Sequence, residues 1–274
     1  MKPRTPGFWL IVATVGLLAL LPMQALAGLT PEEVKIFTET KAKAEKGDRG
    51  AQYTLGNCYY NGAGVAKDEA QAVSWYRKAA EQGLAQAQFN LGFCYSMGEG
   101  VAKDFVQGVS WYRKAAEQGL AQAQLNLGIC YFKGEGVTKD QVQAAAWWRK
   151  AADQGYADAQ SRLGLSYELG YGVAKDQVQA VSWYRKAAEQ GHAKAQSYLG
   201  ICYEFGLGVA RDHIEAYAFY NLAMASQTLT EDMIGKLYFL EKKMSAAQIA
   251  AGQKRSIELQ KKIAAKIAAK KPVK

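Results

Sequence analysis

The sequence predicts an all-α chain: a solenoid of about five stacked helix-turn-helix units of 36 residues, closed by further helices at both ends. Three observations carry this. Leu-Gly recurs at Leu55-Gly56, Leu91-Gly92, Leu127-Gly128, Leu163-Gly164 and Leu199-Gly200, a fixed step of 36 residues. Glycine pairs (Gly62/Gly64, Gly98/Gly100, Gly134/Gly136, Gly170/Gly172, Gly206/Gly208) and the aspartates Asp68, Asp104, Asp140, Asp176 and Asp212 keep the same step. Strand signals are absent. The composition, 49% hydrophobic and 22% charged, excludes collagen, a disordered polymer and a polytopic membrane protein.

Residues 1–27 read as a signal peptide. Lys2 and Arg4 form a positive start, Phe8 to Leu21 is an apolar run, and Ala25-Leu26-Ala27 offers the small residues of a cleavage site. Cleavage after Ala27 would start the mature chain at Gly28 in the periplasm or outside the cell. The competing reading is an uncleaved anchor, but the run is short of the ~20 residues a span needs. Residues 28–48 then read as an N-terminal cap: Thr30-Pro31 supplies the N-cap and first-turn residues of a helix running to about Lys46.

Residues 49–228 hold the units, each of two helices. In the second unit the first helix covers about Ala85 to Met97, and Gly98 sits where a left-handed residue ends it. Asp104 caps the second helix, with Gln107 placed to complete a capping box. The same pairing recurs as Asp68/Gln71, Asp140/Gln143, Asp176/Gln179 and Asp212/Glu215. Residues 229–274 read as two C-terminal capping helices (230–243 and 246–270) and a basic tail, with Ser245 and Gln248 forming another capping box.

The net charge of +9 is unevenly placed. Residues 253–274 carry eight basic side chains against Glu258, whereas residues 28–252 hold 24 basic and 24 acidic ones. The body has no surplus charge for nucleic acid. The tail offers weak contact with an anionic surface, or a charged helix end that frays into solvent. On the electrostatic reading, removing residues 260–274 is expected to abolish that contact while leaving melting of the array nearly unchanged.

The run LGFCYSMGEGVAKDFVQGVSWYRKAAEQGLAQAQ resembles the SEL-one-like repeat, a relative of the tetratricopeptide repeat, and the likeness spans residues 49–228. The resemblance implies a right-handed α-solenoid that serves as adaptor or scaffold for other proteins and not as a catalyst. Some cysteine-rich relatives are described as penicillin-binding, which supplies the alternative of a cell-wall-associated binding protein or weak hydrolase.

Little in the sequence supports chemistry. There are two histidines: His192 stands where other units have Leu84, Leu120 and Tyr156, and His213 falls in a variable, exposed column. Neither has a nucleophile at a useful spacing, and no metal or cofactor is expected. Cys58, Cys94, Cys130 and Cys202 share one column. Equivalent residues of stacked units lie ~8–10 Å apart, beyond the ~7 Å Cα limit of a disulfide, so they read as buried free thiols. Trp75, Trp111, Trp147 and Trp183 read as core packing rather than a stacking platform, because small residues recur four positions on.

The variable columns of the first helices carry the functional signal. In tetratricopeptide-like stacks this helix lines the concave groove. The candidate partner-binding residues are Tyr53, Asn57, Tyr60, Phe89, Phe93, Met97, Ile129, Phe132, Lys133, Glu168, Glu204 and Phe205. For the column Phe93, Ile129, Leu165 and Ile201, packing between neighbouring helices is an equal alternative. The expected partner is a protein or peptide, and the chain is expected to be a monomer.

Overall fold

The computed structural model describes residues 30–225 and 231–270, so the signal-peptide reading of residues 1–27 lies outside the described residues. These residues form thirteen helices and no strand. Helix α1 (Pro31–Glu45) precedes five pairs: α2 (Arg49–Asn61) with α3 (Glu69–Glu81), α4 (Ala85–Met97) with α5 (Phe105–Glu117), α6 (Ala121–Lys133) with α7 (Gln141–Asp153), α8 (Ala157–Leu169) with α9 (Gln177–Ala188), and α10 (Ala193–Phe205) with α11 (His213–Ala225). Helices α12 (Glu231–Glu241) and α13 (Ala246–Lys270) follow. Each helix packs on its sequence neighbours, which is the arrangement of a solenoid.

Within a unit, the repeated leucine is the centre of the core: Leu55, Leu91, Leu127, Leu163 and Leu199 are all fully buried. The adjoining glycine lets an aromatic ring of the second helix lie flat on the first. A Cβ on Gly56 would stand 2.5 Å from Cδ1 of Tyr76, and Gly128, Gly164 and Gly200 meet Trp148, Tyr184 and Tyr220 in the same way. The first helices end as expected on left-handed glycines such as Gly98, φ 80°.

The capping boxes at the second helices form only in half. Asp104 Oδ1 accepts from the amides of Val106 and Gln107 at 2.9 and 3.0 Å, but its own amide donates to the Tyr95 carbonyl at 2.8 Å. Asp68, Asp140, Asp176 and Asp212 repeat that backbone bond to Tyr59, Tyr131, Tyr167 and Tyr203. With the cap amide engaged by the preceding helix, the glutamine three residues on has no donor to serve. Complete boxes form at the two ends of the chain, Thr30 with Glu33 and Ser245 with Gln248.

Two devices couple one unit to the next. The second turn glycine lies against the backbone of the preceding unit's second helix. A Cβ on Gly100, Gly136, Gly172 or Gly208 would overlap the carbonyl of Glu69, Phe105, Gln141 or Gln177. A ladder of glutamines runs through the same junctions. Gln88, Gln124, Gln160 and Gln196 are buried and donate to the carbonyls of Ala80, Ala116, Ala152 and Ala188 at 3.1–3.2 Å. Gln82, Gln118, Gln154 and Gln190 then donate to the side-chain oxygens of Gln52, Gln88, Gln124 and Gln160 at 2.7–2.8 Å. The carbonyls of Ala80, Ala116, Ala152 and Ala188 also accept from the amides of Gly83, Gly119, Gly155 and Gly191, so each buried glutamine adds a second bond there, worth about 1 kcal/mol net.

Helix α1 makes the same junction contacts as a second helix. Gly64 lies against the Glu33 carbonyl, and Gln52 donates to the Ala44 carbonyl at 3.2 Å. The N-terminal cap is thus half a unit.

At the other end α13 packs along α11, extends past the end of α9, and does not project into solvent through residue 266. Leu259 and Ile263 lie against the cluster containing Phe219 and Leu222. Arg255 pairs with Glu215 and Lys266 with Glu189, both at 2.6 Å. Gly252 approaches the Tyr217 ring. This corrects the expectation that the tail is dispensable. Its seat is prepared in the last unit, where Phe219 and Leu222 replace the tryptophan and lysine of Trp183 and Lys186.

Two substitutions separate glycine's backbone role from its steric one. Gly119 (φ 91°) faces open space, while Gly136 (φ 70°) faces the Phe105 carbonyl. Gly119→Ala should cost about 1 kcal/mol in urea unfolding, and Gly136→Ala roughly 3 kcal/mol or more. Deleting residues 260–274 should lower the melting temperature by roughly 3–6 °C, since it removes a packed isoleucine and an ion pair.

Candidate protein-interaction surface

Residues one unit apart occupy equivalent positions on α2, α4, α6, α8 and α10, so each column of the sequence is a row across these helices. At the N-terminal end they leave a pocket of about 390 Å3 lined by Asn57, Tyr60, Phe89, Asn90, Phe93 and Asn126, with Tyr76 and Cys94 also in its wall. Four of the predicted residues, Asn57, Tyr60, Phe89 and Phe93, meet there. Phe89 packs on Tyr112 with ring centres 5.7 Å apart, and Tyr53 lies 6.1 Å from the Tyr76 ring.

The polar groups of this pocket are held in place. Asn57 Oδ1 accepts from the Tyr76 hydroxyl at 2.8 Å and from the Asn90 amide at 3.3 Å. The Tyr60 hydroxyl donates to Glu99 at 2.6 Å; this bond, with burial, pushes its pKa up to about 12. Burial likewise raises Tyr76. Both phenols remain neutral donors, and the rings around them are fixed before any partner arrives.

The other predicted residues are dispersed. Ile129 is half-buried against the core, as the packing alternative expected, and Phe132 sits between Trp148 and Tyr171 with both ring centres at 5.5 Å. Met97 and Phe205 are exposed at the ends of α4 and α10 (56% and 54%), and Lys133, at the end of α6, reaches Glu135 at 3.4 Å. Glu168 accepts from the Tyr184 hydroxyl at 2.5 Å.

Glu204 is a correction. Only 5% exposed, it accepts from Tyr220 at 3.0 Å and Lys243 at 2.8 Å, so it anchors the segment after α12 and does not face a partner. Reading the columns missed Asn90, Asn126 and Arg162, which share one row with Thr54 and Tyr198. Their signal was present, a polar position that changes from unit to unit beside the constant leucine.

The face carrying the second helices is closed by its own side chains. Lys78, Lys114, Lys150 and Lys186 place their ammonium groups 3.7–3.9 Å from the ring centres of Trp75, Trp111, Trp147 and Trp183. Arg77, Arg113, Arg149 and Arg185 donate to the hydroxyls of Tyr95, Tyr131, Tyr167 and Tyr203. A cavity of about 550 Å3 lies between α9, α11 and α13, but Arg185, Arg255 and Lys266 on its wall are committed to Tyr203, Glu215 and Glu189.

Both histidines have structural surroundings. His192 is the N-cap of α10: Nδ1 accepts from the Ala195 amide at 3.1 Å, and Nε2 lies 3.2 Å from Asp158. It therefore serves as a side-chain cap at a position where Leu84, Leu120 and Tyr156 make no side-chain cap bond. His213 begins α11 and is half-buried, not exposed.

A stack of helix pairs with interlocked junctions and one aromatic-lined face defines an α-solenoid interaction protein. The chain belongs to the Sel1 repeat family, whose members are generally protein-interaction scaffolds: the family's repeat matches residues 50–84, 85–120, 121–156, 157–192 and 193–225. Among solved structures, a Sel1 repeat protein from Oxalobacter formigenes is 33% identical, with 85% of this chain and 91% of that one covered and a TM-score of 0.71. The protective antigen c5321 of uropathogenic Escherichia coli, which displays an SLR fold, is 32% identical over 88% of this chain and 60% of its own, with a TM-score of 0.57. No curated protein matches.

The four cysteines are buried and free. Burial pushes the thiols of Cys94 and Cys202 up to about 12 and that of Cys130 to about 11, and raises Cys58 as well. Native protein at pH 8 should therefore react with a thiol reagent at least a hundredfold more slowly than unfolded protein, which should titrate all four groups. Mass spectrometry without reductant should show four free thiols.

Proposed function

We propose that this chain is an exported, non-enzymatic scaffold that captures a protein or peptide partner along the face built by α2, α4, α6, α8 and α10. The observation that carries the reading is the convergence of Asn57, Tyr60, Phe89 and Phe93 on one pocket of about 390 Å3. A pocket of this size accepts one large apolar side chain, and fixed aromatic walls lower the entropy lost on binding. Met97, Phe132 and Phe205 extend apolar surface along the same row of helices. The likeness to Sel1 repeat proteins supports a scaffold over a catalyst. So do the raised thiols and a His192 whose two ring nitrogens are engaged in capping and in Asp158. Export is supported by the charged, apolar and small-residue segments of residues 1–27.

The mature chain from Gly28, used as bait in a crosslinking pull-down from the native envelope, should retain a defined partner. The folded double variant Phe89→Ala/Phe132→Ala should lose at least tenfold of that capture. Capture undiminished by the double change would place binding elsewhere. Intact-mass analysis of the periplasmic fraction should find a chain that begins at Gly28.

A further inference from the structure

On α8 and α10, two units beyond the apolar pocket, a second recess of about 200 Å3 contains Arg162, Lys194, Tyr198, Asp158 and His192. Arg162 occupies the row position of Asn90 and Asn126. Its guanidinium lies 5.7 Å from the Trp148 ring centre. Among the described residues no carboxylate lies within ion-pair distance of it and no side-chain acceptor bonds it. Asp158, the nearby acid, is directed to His192 Nε2 at 3.2 Å. Burial lowers the guanidinium's pKa against the opposing pull of Asp158, so among the described residues Arg162 is a partly desolvated cation that makes no direct ion pair. Lys194, which makes no ion pair among the described residues, adds an ammonium to the same recess, and the Tyr198 ring is fixed on Tyr184 with centres 4.8 Å apart.

We propose that Arg162, assisted by Lys194, is a carboxylate-binding subsite that fixes the direction of an extended peptide lying across the first helices. The inference rests on the peptide reading above. It adds that the partner segment carries an acidic side chain or its C-terminal carboxylate at a set distance from an apolar anchor. Arginine is the side chain suited to this task, because its planar fork donates two parallel bonds to one carboxylate. The distance follows from the stack. Helix axes lie ~8–10 Å apart, so α4 to α8 is roughly 16–20 Å. An extended chain advances ~3.3 Å per residue, which places the acid about five or six residues from the anchor. Asn126, on α6, lies between the two helices in the wall of the apolar pocket.

Random dodecapeptides displayed on phage are selected against the full mature chain, Arg162→Gln and Phe89→Ala/Phe132→Ala. The enriched peptides are synthesised as free acids, as C-terminal amides, and with each Glu or Asp changed to its amide. On the wild-type chain, neutralising the relevant carboxylate should weaken binding about tenfold, and the loss should shrink as salt rises. On Arg162→Gln the same change should matter less than twofold, while preference for the apolar anchor persists. The amidated and side-chain arms identify which carboxylate is read. Lys194→Gln, an exposed substitution, should cost about threefold and gives a second route should Arg162→Gln fold poorly. Enriched peptides without an acid at that spacing, or a sensitivity to neutralisation in Arg162→Gln and Lys194→Gln as large as on the wild-type chain, would overturn the subsite and leave the groove standing. Absence of any enrichment that depends on Phe89 and Phe132 would overturn both.

Discussion

The approach of one glycine to one carbonyl sets the pitch of the whole stack. Gly100, Gly136, Gly172 and Gly208 each place bare Cα against the first turn of the preceding unit's second helix, where a Cβ would overlap backbone. All four also have positive φ, between 67° and 71°, so the position excludes other residues for two independent reasons. The distance so fixed decides everything built across it. It brings the buried glutamines within bonding range of helix-end carbonyls, and the arginines within reach of the next unit's tyrosine hydroxyls. Rows of side chains on the first helices become continuous surfaces because every junction has the same geometry.

That regularity explains why the fold was so legible in the sequence. Leu-Gly, the glycine pair and the capping aspartate are local statements about packing, turn and helix start, and each repeats five times. A misreading of one copy is corrected by the next. The half-formed capping boxes show where local reasoning stops: the pattern Asp-x-x-Gln is right for a box, but the Tyr95 carbonyl of the preceding helix takes the Asp104 amide first. The glutamine ladder was equally visible as a column, yet nothing in a lone glutamine distinguishes a buried junction bond from solvent exposure.

The surface was less legible because it is defined by differences between copies. Variation singled out the first helices and four residues of the pocket, but could not tell a free side chain from one already engaged. Glu204 differs from Tyr60, Ser96 and Phe132 in its column but shares both its identity and its tyrosine bond with Glu168, and Lys243 is what ties it to the end of the chain. Tail residues misled for the same reason. Lys266 looks like surplus charge until Glu189, 77 positions earlier, is placed beside it. Charge counting has no means of finding such a pair. His192 likewise hides a helix cap behind a position that is apolar in three other units.

The glutamine ladder has a consequence for how such a chain can change length. Each rung joins residues 30 positions apart, and each rung repeats after 36. Insertion or loss of one whole unit therefore leaves every type of bond intact, whereas a gain of a few residues breaks two rungs and misplaces a glycine. Growth is quantised, and its quantum is the junction rather than the helix. The end of the ladder marks where that growth stops: Gln196 keeps a buried Oε1 without a partner among the described residues, and position 226, one step beyond Gln190, is Ser226. An array of this kind lengthens by copying an interior unit, while the two specialised ends travel unchanged.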